Sequence, residues 1–180
     1  MPHRLHVPIR VSKAIDTAVQ EQLDMSAIVV VTTPSPSFFS SMFTVHQKDK
    51  DRPIFNCKPL NRYLIPPHFS LPTLATVRSS LFPGAFISTI DLHKAYTHLP
   101  IPPQFRPFLR FRYRKVIYEY QCLPFGLCTA PHDFQLIVCW VRDILRWTGQ
   151  RLLCYIDDIT QIHRSSSIGH QDVPLLIGVL

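Results

Sequence analysis

Apolar residues recur with a helical period in two parts of the chain. They fall every four residues over Val11–Leu23, which predicts an amphipathic helix with Ser12 as its N-terminal cap. The same spacing predicts a longer helix over Ala130–Trp147, and Gly149 just beyond it is well placed as a stop. A short helix is predicted between Leu71 and Leu81, where prolines divide the chain into small pieces.

Other segments are β-branched or alternate between apolar and polar residues, which is typical of strands. The predicted strands are Ala27–Thr32, Phe38–Val45, Phe86–Leu92, Leu109–Tyr120, Leu152–Ile156 and Ile159–Ile162. The charged residues from Gln47 to Asp51 follow one of them and predict a hairpin with a basic tip. Together these elements indicate a mixed α+β domain.

Composition and charge narrow the class of protein. The 180 residues are 46% hydrophobic and 17% charged, which argues for a folded domain rather than a disordered chain. Lys and Arg exceed Asp and Glu by 19 to 12, giving a net charge of +7. This excess favours a polyanionic partner such as a nucleic acid, although a merely basic globular protein has the same charge.

Cysteines, histidines and the first residues indicate an intracellular protein. The five cysteines form no CxxC pair, which favours reduced thiols, and the nine histidines lack the spacing of a zinc site. The start of the chain has no apolar core of signal-peptide length, and no run is long enough to span a bilayer. We therefore expect a cytoplasmic or nuclear protein that is not secreted and has no membrane partner.

Three aspartates lie at the ends of predicted strands. Asp157 and Asp158 directly follow one apolar strand, and Asp91 ends another. If those strands are neighbours, three carboxylates meet at one sheet edge, where their repulsion calls for a cation such as Mg²⁺. The alternative is that Asp157 and Asp158 occupy a solvated turn and Asp91 caps the segment after it.

Short motifs around these aspartates occur in a definite order. They are Arg52-Pro53-Ile54 with Leu60-Asn61, the IDLHKAY segment from Ile90 to Tyr96, Leu123-Pro124-Phe125-Gly126-Leu127 with Ala130-Pro131, and Tyr155-Ile156-Asp157-Asp158. The set resembles the reverse transcriptase family, most closely the retrotransposon type of DIRS-like and gypsy-like elements. The resemblance spans Phe38 to about Ile162.

The resemblance implies a right-hand polymerase fold of the α+β class, with an antiparallel palm sheet packed on helices. The fingers would comprise about residues 1–87 and 99–127, and the palm about 88–98 and 128–180. The chain ends at Leu180, before the family's primer grip, thumb and RNase H regions, so we expect fingers and palm without a thumb.

The implied activity is RNA-directed DNA synthesis for a mobile element. Asp91, Asp157 and Asp158 would be both the catalytic residues and the ligands of two Mg²⁺ ions, which Mn²⁺ is able to replace. The substrates would be dNTPs, and the partners an RNA or DNA template with a DNA primer. The oligomeric state is open.

The resemblance also assigns residues to the incoming nucleotide. They are Lys48, Arg52, Leu92, Tyr96, Phe125 and Gly126. Arg52 would contact the triphosphate, because a guanidinium matches phosphate oxygens in pairs. Tyr96 would be the steric gate that excludes a ribose 2′-OH. The alternatives are a half-buried core tyrosine at Tyr96 and a simple turn glycine at Gly126.

Basic residues interleave with aromatic residues on the predicted strand pair over Leu109–Tyr120. These candidate nucleic-acid contacts are Arg110, Arg112, Arg114 and Lys115. Such a composition suits a phosphate backbone and stacked single-stranded bases. The alternative is a solvated basic face.

Departures from the family pattern leave a second functional interpretation open. Val45 is followed by His46-Gln47 rather than by two lysines, so either Lys48 or Lys50 would reach phosphate. Asn56 stands where relatives usually carry an aspartate. The missing thumb favours the runner-up, a truncated, non-catalytic relic that binds nucleic acid or does nothing, and a weaker alternative is an interaction module whose motifs are fortuitous.

Overall fold

Contacts between residues divide the chain into two units. The structure is a computed structural model that describes residues 9–32, 35–48 and 50–179. The first unit comprises residues 1–65 and 96–130, and the second comprises 66–95 and 131–180. Residues 66–87, which the sequence analysis assigned to the fingers, group with the second unit, and the division into fingers and palm stays a prediction.

The first unit is built on a five-stranded sheet of order β1-β6-β5-β2-β3. Its strands are β1 Ile28–Val30, β2 Phe39–Gln47, β3 Lys50–Asn56, β5 Arg110–Tyr113 and β6 Val116–Tyr120. All neighbours are antiparallel except β2 and β5, which pair in parallel. The predicted hairpin is confirmed as β2 and β3, and Lys48 lies in its turn; Asp49 of the predicted tip is outside the described residues.

Aromatic residues form the core of this unit. Phe111 is fully buried and stacks on Tyr118 with ring centroids 5.2 Å apart. Phe55 and Tyr120 pack beside it at 5.8 Å each. Burial of a large apolar side chain contributes about 1.5–3 kcal/mol, so this cluster is a major source of the unit's stability.

Helices complete the first unit. Helix α1, Ile9–Asp24, buries Ile15 and Val19, as the four-residue period predicts. Ser12 lies inside this helix, so its assignment as the N-terminal cap is wrong. A short helix, α2 Lys58–Asn61, was not predicted from the sequence. Two 3-10 turns, Ala95–His98 and Arg106–Leu109, join the remaining segments.

The second unit contains a three-stranded antiparallel sheet of order β4-β8-β7. Its strands are β4 Phe86–Asp91, β7 Arg151–Tyr155 and β8 Asp158–His163. The helices of this unit are α3 Leu74–Ser80, α4 Ala130–Trp147 and α5 Ser166–Val179. These strands and the first two helices were predicted, whereas α5 was not.

Helix α4 follows directly from its sequence. Phe134, Val138 and Leu145 recur at helical spacing and are buried on one side. Gly149 has φ +86°, a conformation that suits glycine, and its N–H donates to Arg146 O at 3.0 Å. The helix therefore ends where the sequence predicts. No helix in the described part of the chain is long and apolar enough to cross a membrane.

Candidate active site

The catalytic candidates meet at one end of the three-stranded sheet. Asp91 is the last residue of β4 and Asp158 is the first residue of β8, and the two stand directly opposite each other in the ladder. Opposed residues of antiparallel strands project to the same face with Cα atoms about 4.5–5.5 Å apart. Two exposed carboxylates are therefore brought side by side by the backbone.

Asp157 occupies the two-residue turn that joins β7 to β8. Tyr155 and Asp158 form the last pair of this hairpin, which leaves Ile156 and Asp157 as its turn. Asp157 O accepts a hydrogen bond of 3.0 Å from Leu92 N–H, so the turn is also joined to the end of β4. Leu92, predicted to line the nucleotide site, thus lies beside the aspartates through its backbone.

The turn is held in an unusual backbone conformation. Ile156 has φ +54°, which is unfavourable for a β-branched residue and is found where surrounding contacts enforce it. Its N–H donates to Gln135 Oε1 at 2.8 Å, and Gln135 Nε2 donates to Cys154 O at 3.0 Å. Gln135 is a buried residue of α4, so these two hydrogen bonds attach the hairpin turn to the helix.

The aspartates lack cationic neighbours. In the described residues, no hydrogen bond or ion pair engages the side chain of Asp91, Asp157 or Asp158. The same part of the chain contains no group of three or more His, Cys, Asp or Glu side chains arranged closely enough to hold a metal ion. The backbone thus gathers the carboxylates at one edge, while their side chains do not form a closed ligand group.

The residues of the first unit that were predicted to bind the incoming nucleotide lie in two places. Tyr96 is buried, and its ring packs edge-on against Phe125, which is more than half exposed, with centroids 4.8 Å apart. Lys48 and Arg52 lie on the β2–β3 hairpin, where both are exposed. Lys48 has φ +55° in the turn. Lys50 begins β3.

The backbone at Gly126 has a conformation that favours glycine over other residues. Its φ is +95°, and a Cβ built there would lie 3.4 Å from Phe55 O. Asn61 fastens this loop, because its Nδ2 donates to Gly126 O at 2.9 Å and its Oδ1 accepts from Cys128 N–H at 3.1 Å. The loop carrying Phe125 is therefore clamped by the residue that ends helix α2.

Arg110 differs from the other basic candidates. It is buried, pairs with Glu119 at 2.6 Å, and donates to the hydroxyl groups of Ser35 and Ser37. Because its N–H groups already have these partners, the guanidinium of Arg110 is not available to bind a phosphate. The two arginines of β5 on this face differ, because Arg110 is covered by these contacts whereas Arg112 is exposed.

The other three basic candidates are exposed. Arg112 lies over the Phe39 ring at 5.4 Å from its centroid. Arg114 and Lys115 form the turn between β5 and β6, where both have positive φ, and Arg114 pairs with Asp16 at 2.6 Å. A solvated basic face and a phosphate contact both remain compatible with these positions.

Comparison with known protein families identifies the family to which this chain belongs. A model of the family described as reverse transcriptase (RNA-dependent DNA polymerase) matches residues 11–177. The chain belongs to the reverse transcriptase family. The predicted family is therefore confirmed, and it is a family of nucleotidyltransferases.

This reverse transcriptase domain is similar to parts of retrotransposon polyproteins. It is 28% identical over 129 residues to the transposon Tf2-3 and Tf2-4 polyproteins of Schizosaccharomyces pombe. The match covers 72% of this chain but 10% of each polyprotein. The chain thus spans a small part of the length of these relatives.

Solved structures confirm the fold. The foamy viral protease-reverse transcriptase in complex with dsDNA superposes with a TM-score of 0.80 and 17% identity, covering 99% of this chain and 36% of that one. A second foamy viral structure, also in complex with dsDNA, gives a TM-score of 0.81. The predicted α+β architecture of polymerase fingers and palm is confirmed.

Two residues of this reverse transcriptase domain acquire a role only through the structure. Gln135 supports the turn of the aspartate hairpin, and Asn61 clamps the loop of Gly126. For Gln135 the available sequence signal was that it is the one glutamine in an otherwise apolar stretch of α4. For Asn61 the signal was its place in a family motif, but neither signal identifies a partner that lies many residues away.

Proposed function

We propose that this chain carries the polymerase site of a mobile element's reverse transcriptase, which adds deoxynucleotides to a DNA primer paired with an RNA template. The single observation that carries the proposal is the placement of Asp91 directly opposite Asp158, with Asp157 in the adjoining turn. Membership of the reverse transcriptase family supports it.

The three carboxylates suit divalent cations. They are oxygen donors at a solvent-accessible sheet edge, and no cationic side chain of the described residues neutralises them. Asp91 and Asp157 would be the principal ligands, with Asp158 completing the set. Two bound Mg²⁺ ions supply activation of the primer 3′-hydroxyl and stabilisation of the leaving pyrophosphate.

Residues of the first unit would receive the incoming dNTP. Arg52 is exposed on β3 and suits a triphosphate, since its guanidinium forms paired hydrogen bonds with phosphate oxygens. Lys48 would add a second positive charge from the same hairpin. Tyr96, held by Phe125, would act as the gate against a 2′-OH, and the glycine at 126 allows the backbone to approach the sugar.

The template and primer would be held by exposed basic residues. Arg112 and Lys115 are exposed on the β5–β6 hairpin, and Arg114 is exposed despite its pair with Asp16. The foamy viral relatives in complex with dsDNA support such a partner. Arg110 is left out of this proposal because its side chain is buried in an ion pair.

Metal binding and primer extension test the proposal. The chain is expected to bind Mn²⁺, detected by electron paramagnetic resonance, and a longer chain that also includes a thumb is expected to extend a DNA primer on RNA in Mg²⁺. Asp157→Asn is expected to weaken metal binding and abolish extension, whereas Asp24→Asn, at an exposed helical site, leaves both unchanged.

Two results would contradict the polymerase assignment. Equal Mn²⁺ binding by the wild type and Asp157→Asn would remove the metal role of the turn. Nucleic-acid binding that persists with neither metal binding nor extension would identify the non-catalytic alternative instead.

A further inference from the structure

A cavity lies at the other end of the β7–β8 hairpin from the aspartates. It has a volume of about 310 Å³ and is lined by residues of α3, α4, β7 and β8 and of the α4–β7 connection, all within the second unit. The connection turns at Gly149, which brings Arg146 at the end of α4 and Arg151 at the start of β7 to the same cavity.

Gln150, between these arginines, is buried and has an amide nitrogen with no hydrogen-bond partner among the described residues. Neighbouring groups determine the orientation of its amide. Gln161 Nε2 lies 3.4 Å from the carbonyl oxygen of Asp172, which only a donor can satisfy. The same Nε2 donates to Gln150 at 3.0 Å, so the atom of Gln150 that it meets is Oε1.

The unpartnered atom of Gln150 is therefore a donor, Nε2. A buried donor without a hydrogen-bond partner is unfavourable, so a ligand that accepts from it is favoured. Gln150 is among the residues that line the cavity. Gln150 Nε2 itself is covered in this structure, so a bound acceptor would satisfy it once the side chain turns toward the cavity.

The two arginines make the cavity cationic. Arg151 lies over the Phe82 ring with its guanidinium carbon 5.3 Å from the ring centroid, a contact that restricts the position of the charged group. Arg146 donates one hydrogen bond to Leu152 O at 3.2 Å and retains further donors. No Asp or Glu is among the described residues lining the cavity. Asp143 is 3.8 Å from Arg146 but pairs more closely with Arg142, at 2.8 Å.

We propose that this cavity, with Gln150, Arg146 and Arg151 as donors, binds a phosphate group, either free or carried on a small monoester. Paired guanidinium donors match phosphate oxygens, and the side-chain amide of Gln150 adds an uncharged donor. The site is separate from the catalytic candidates, because Arg151 and Tyr155 lie at opposite ends of β7, about 13 Å apart at a strand's rise per residue.

The experiment follows the side-chain amide of Gln150 by nuclear magnetic resonance during titration. The full chain is titrated with inorganic phosphate at constant ionic strength, in EDTA so that metal-bound phosphate at the aspartates makes no contribution. The Gln150 resonances are expected to shift and saturate. A nucleoside 5′-monophosphate and a short oligothymidylate are then compared, to tell a free monoester from a strand phosphate.

Arg151→Gln is the informative variant, because Arg151 is exposed and its replacement leaves the core intact. We expect the phosphate affinity to fall by at least about tenfold, as for loss of a hydrogen bond to a charged group. Arg62→Gln is the control, since Arg62 is an exposed arginine outside the cavity, and the phosphate affinity of this variant should stay within about twofold of the wild type.

Separate outcomes decide the proposal. A saturable shift that Arg151→Gln weakens and Arg62→Gln preserves would support it, whichever phosphate source binds more tightly. A shift that does not saturate, or one that both variants change equally, would overturn it. Because no metal, primer or polymerisation enters the measurement, this result is independent of the proposed catalytic function.

Discussion

The amide of Gln135 bridges helix α4 and the hairpin that carries two of the aspartates. It accepts from Ile156 N–H at 2.8 Å and donates to Cys154 O at 3.0 Å. These bonds hold Ile156 at φ +54°, which places Asp157 beside Asp158 in a tight turn. A buried residue on the helix thus determines the backbone on which the carboxylates stand.

We expect Gln135→Leu to lower the free energy of unfolding by about 2–3 kcal/mol, because two buried backbone groups lose their partners. Urea unfolding measures this change. Gln20→Leu is the control, since Gln20 is exposed on α1 and should change stability by less than about 0.5 kcal/mol. Equal stability of the two variants would show that the bridge contributes nothing.

Gly126→Ala tests the conformation of the loop next to Phe125. A side chain at φ +95° is strained, and its Cβ would meet Phe55 O at 3.4 Å, so we expect a loss of about 1–3 kcal/mol. Gly178→Ala is the matched change, because Gly178 lies in helix α5 with nothing within 4 Å of a new Cβ. It should leave stability unchanged or raise it by up to about 1 kcal/mol in thermal unfolding.

The basic residues of β5 should separate into structural and binding groups. Arg110→Met leaves the carboxylate of Glu119 largely buried without its partner, and we expect it to cost about 3 kcal/mol of stability. Arg112→Gln should leave stability nearly unchanged. It should instead lower the slope of log binding constant against log salt by about 0.7–0.9 for nucleic acid. A reversed pattern in the two assays would disprove this division.

Tyr96→Ala should relax discrimination against ribonucleotides if the proposed gate is correct. The side chain is buried against Phe125, so its ring is held in one position rather than free to move aside. Single-nucleotide incorporation of a dNTP and the matching NTP gives the selectivity ratio. Tyr96→Phe keeps the ring and should keep the ratio, and an unchanged ratio in Tyr96→Ala would remove the gate role.

Thiol reactivity should follow burial. Burial raises the pKa of Cys154 and of Cys122 to about 11 and that of Cys57 to about 12, so these thiols stay protonated at pH 8. We expect iodoacetamide to modify the partly exposed Cys128 and Cys139 first, as mass spectrometry would show. Equal labelling of all five cysteines in the native protein would contradict this order.

The raised pKa values also predict how stability depends on pH. Their reference value is 9.0, so an unfolded chain ionises these thiols at a lower pH than the folded chain does. The free energy of unfolding should therefore be unaffected by them below about pH 8 and should fall as pH rises through 9 to 11. Replacing Cys154 with Ala should reduce this fall, measured by urea unfolding across that range.

Elements with a strong local pattern could be predicted from the sequence. Helix α4 has both an apolar period and a stop glycine, and its limits in the structure match the prediction. Helix α5 could not be predicted in this way. It contains Pro174, and its apolar residues have no helical period, so contacts with its own unit are needed to specify it.

Sequence alone determined the residue types and their order, and with them the family, the class of fold and the candidate catalytic aspartates. Tertiary structure decided which of these residues face one another. It set Asp91 opposite Asp158, turned Arg110 inward and gave Gln135 and Asn61 their partners. The reason is that local periodicity reports the direction of a side chain within one element, whereas strand order and register depend on contacts between residues far apart in the chain.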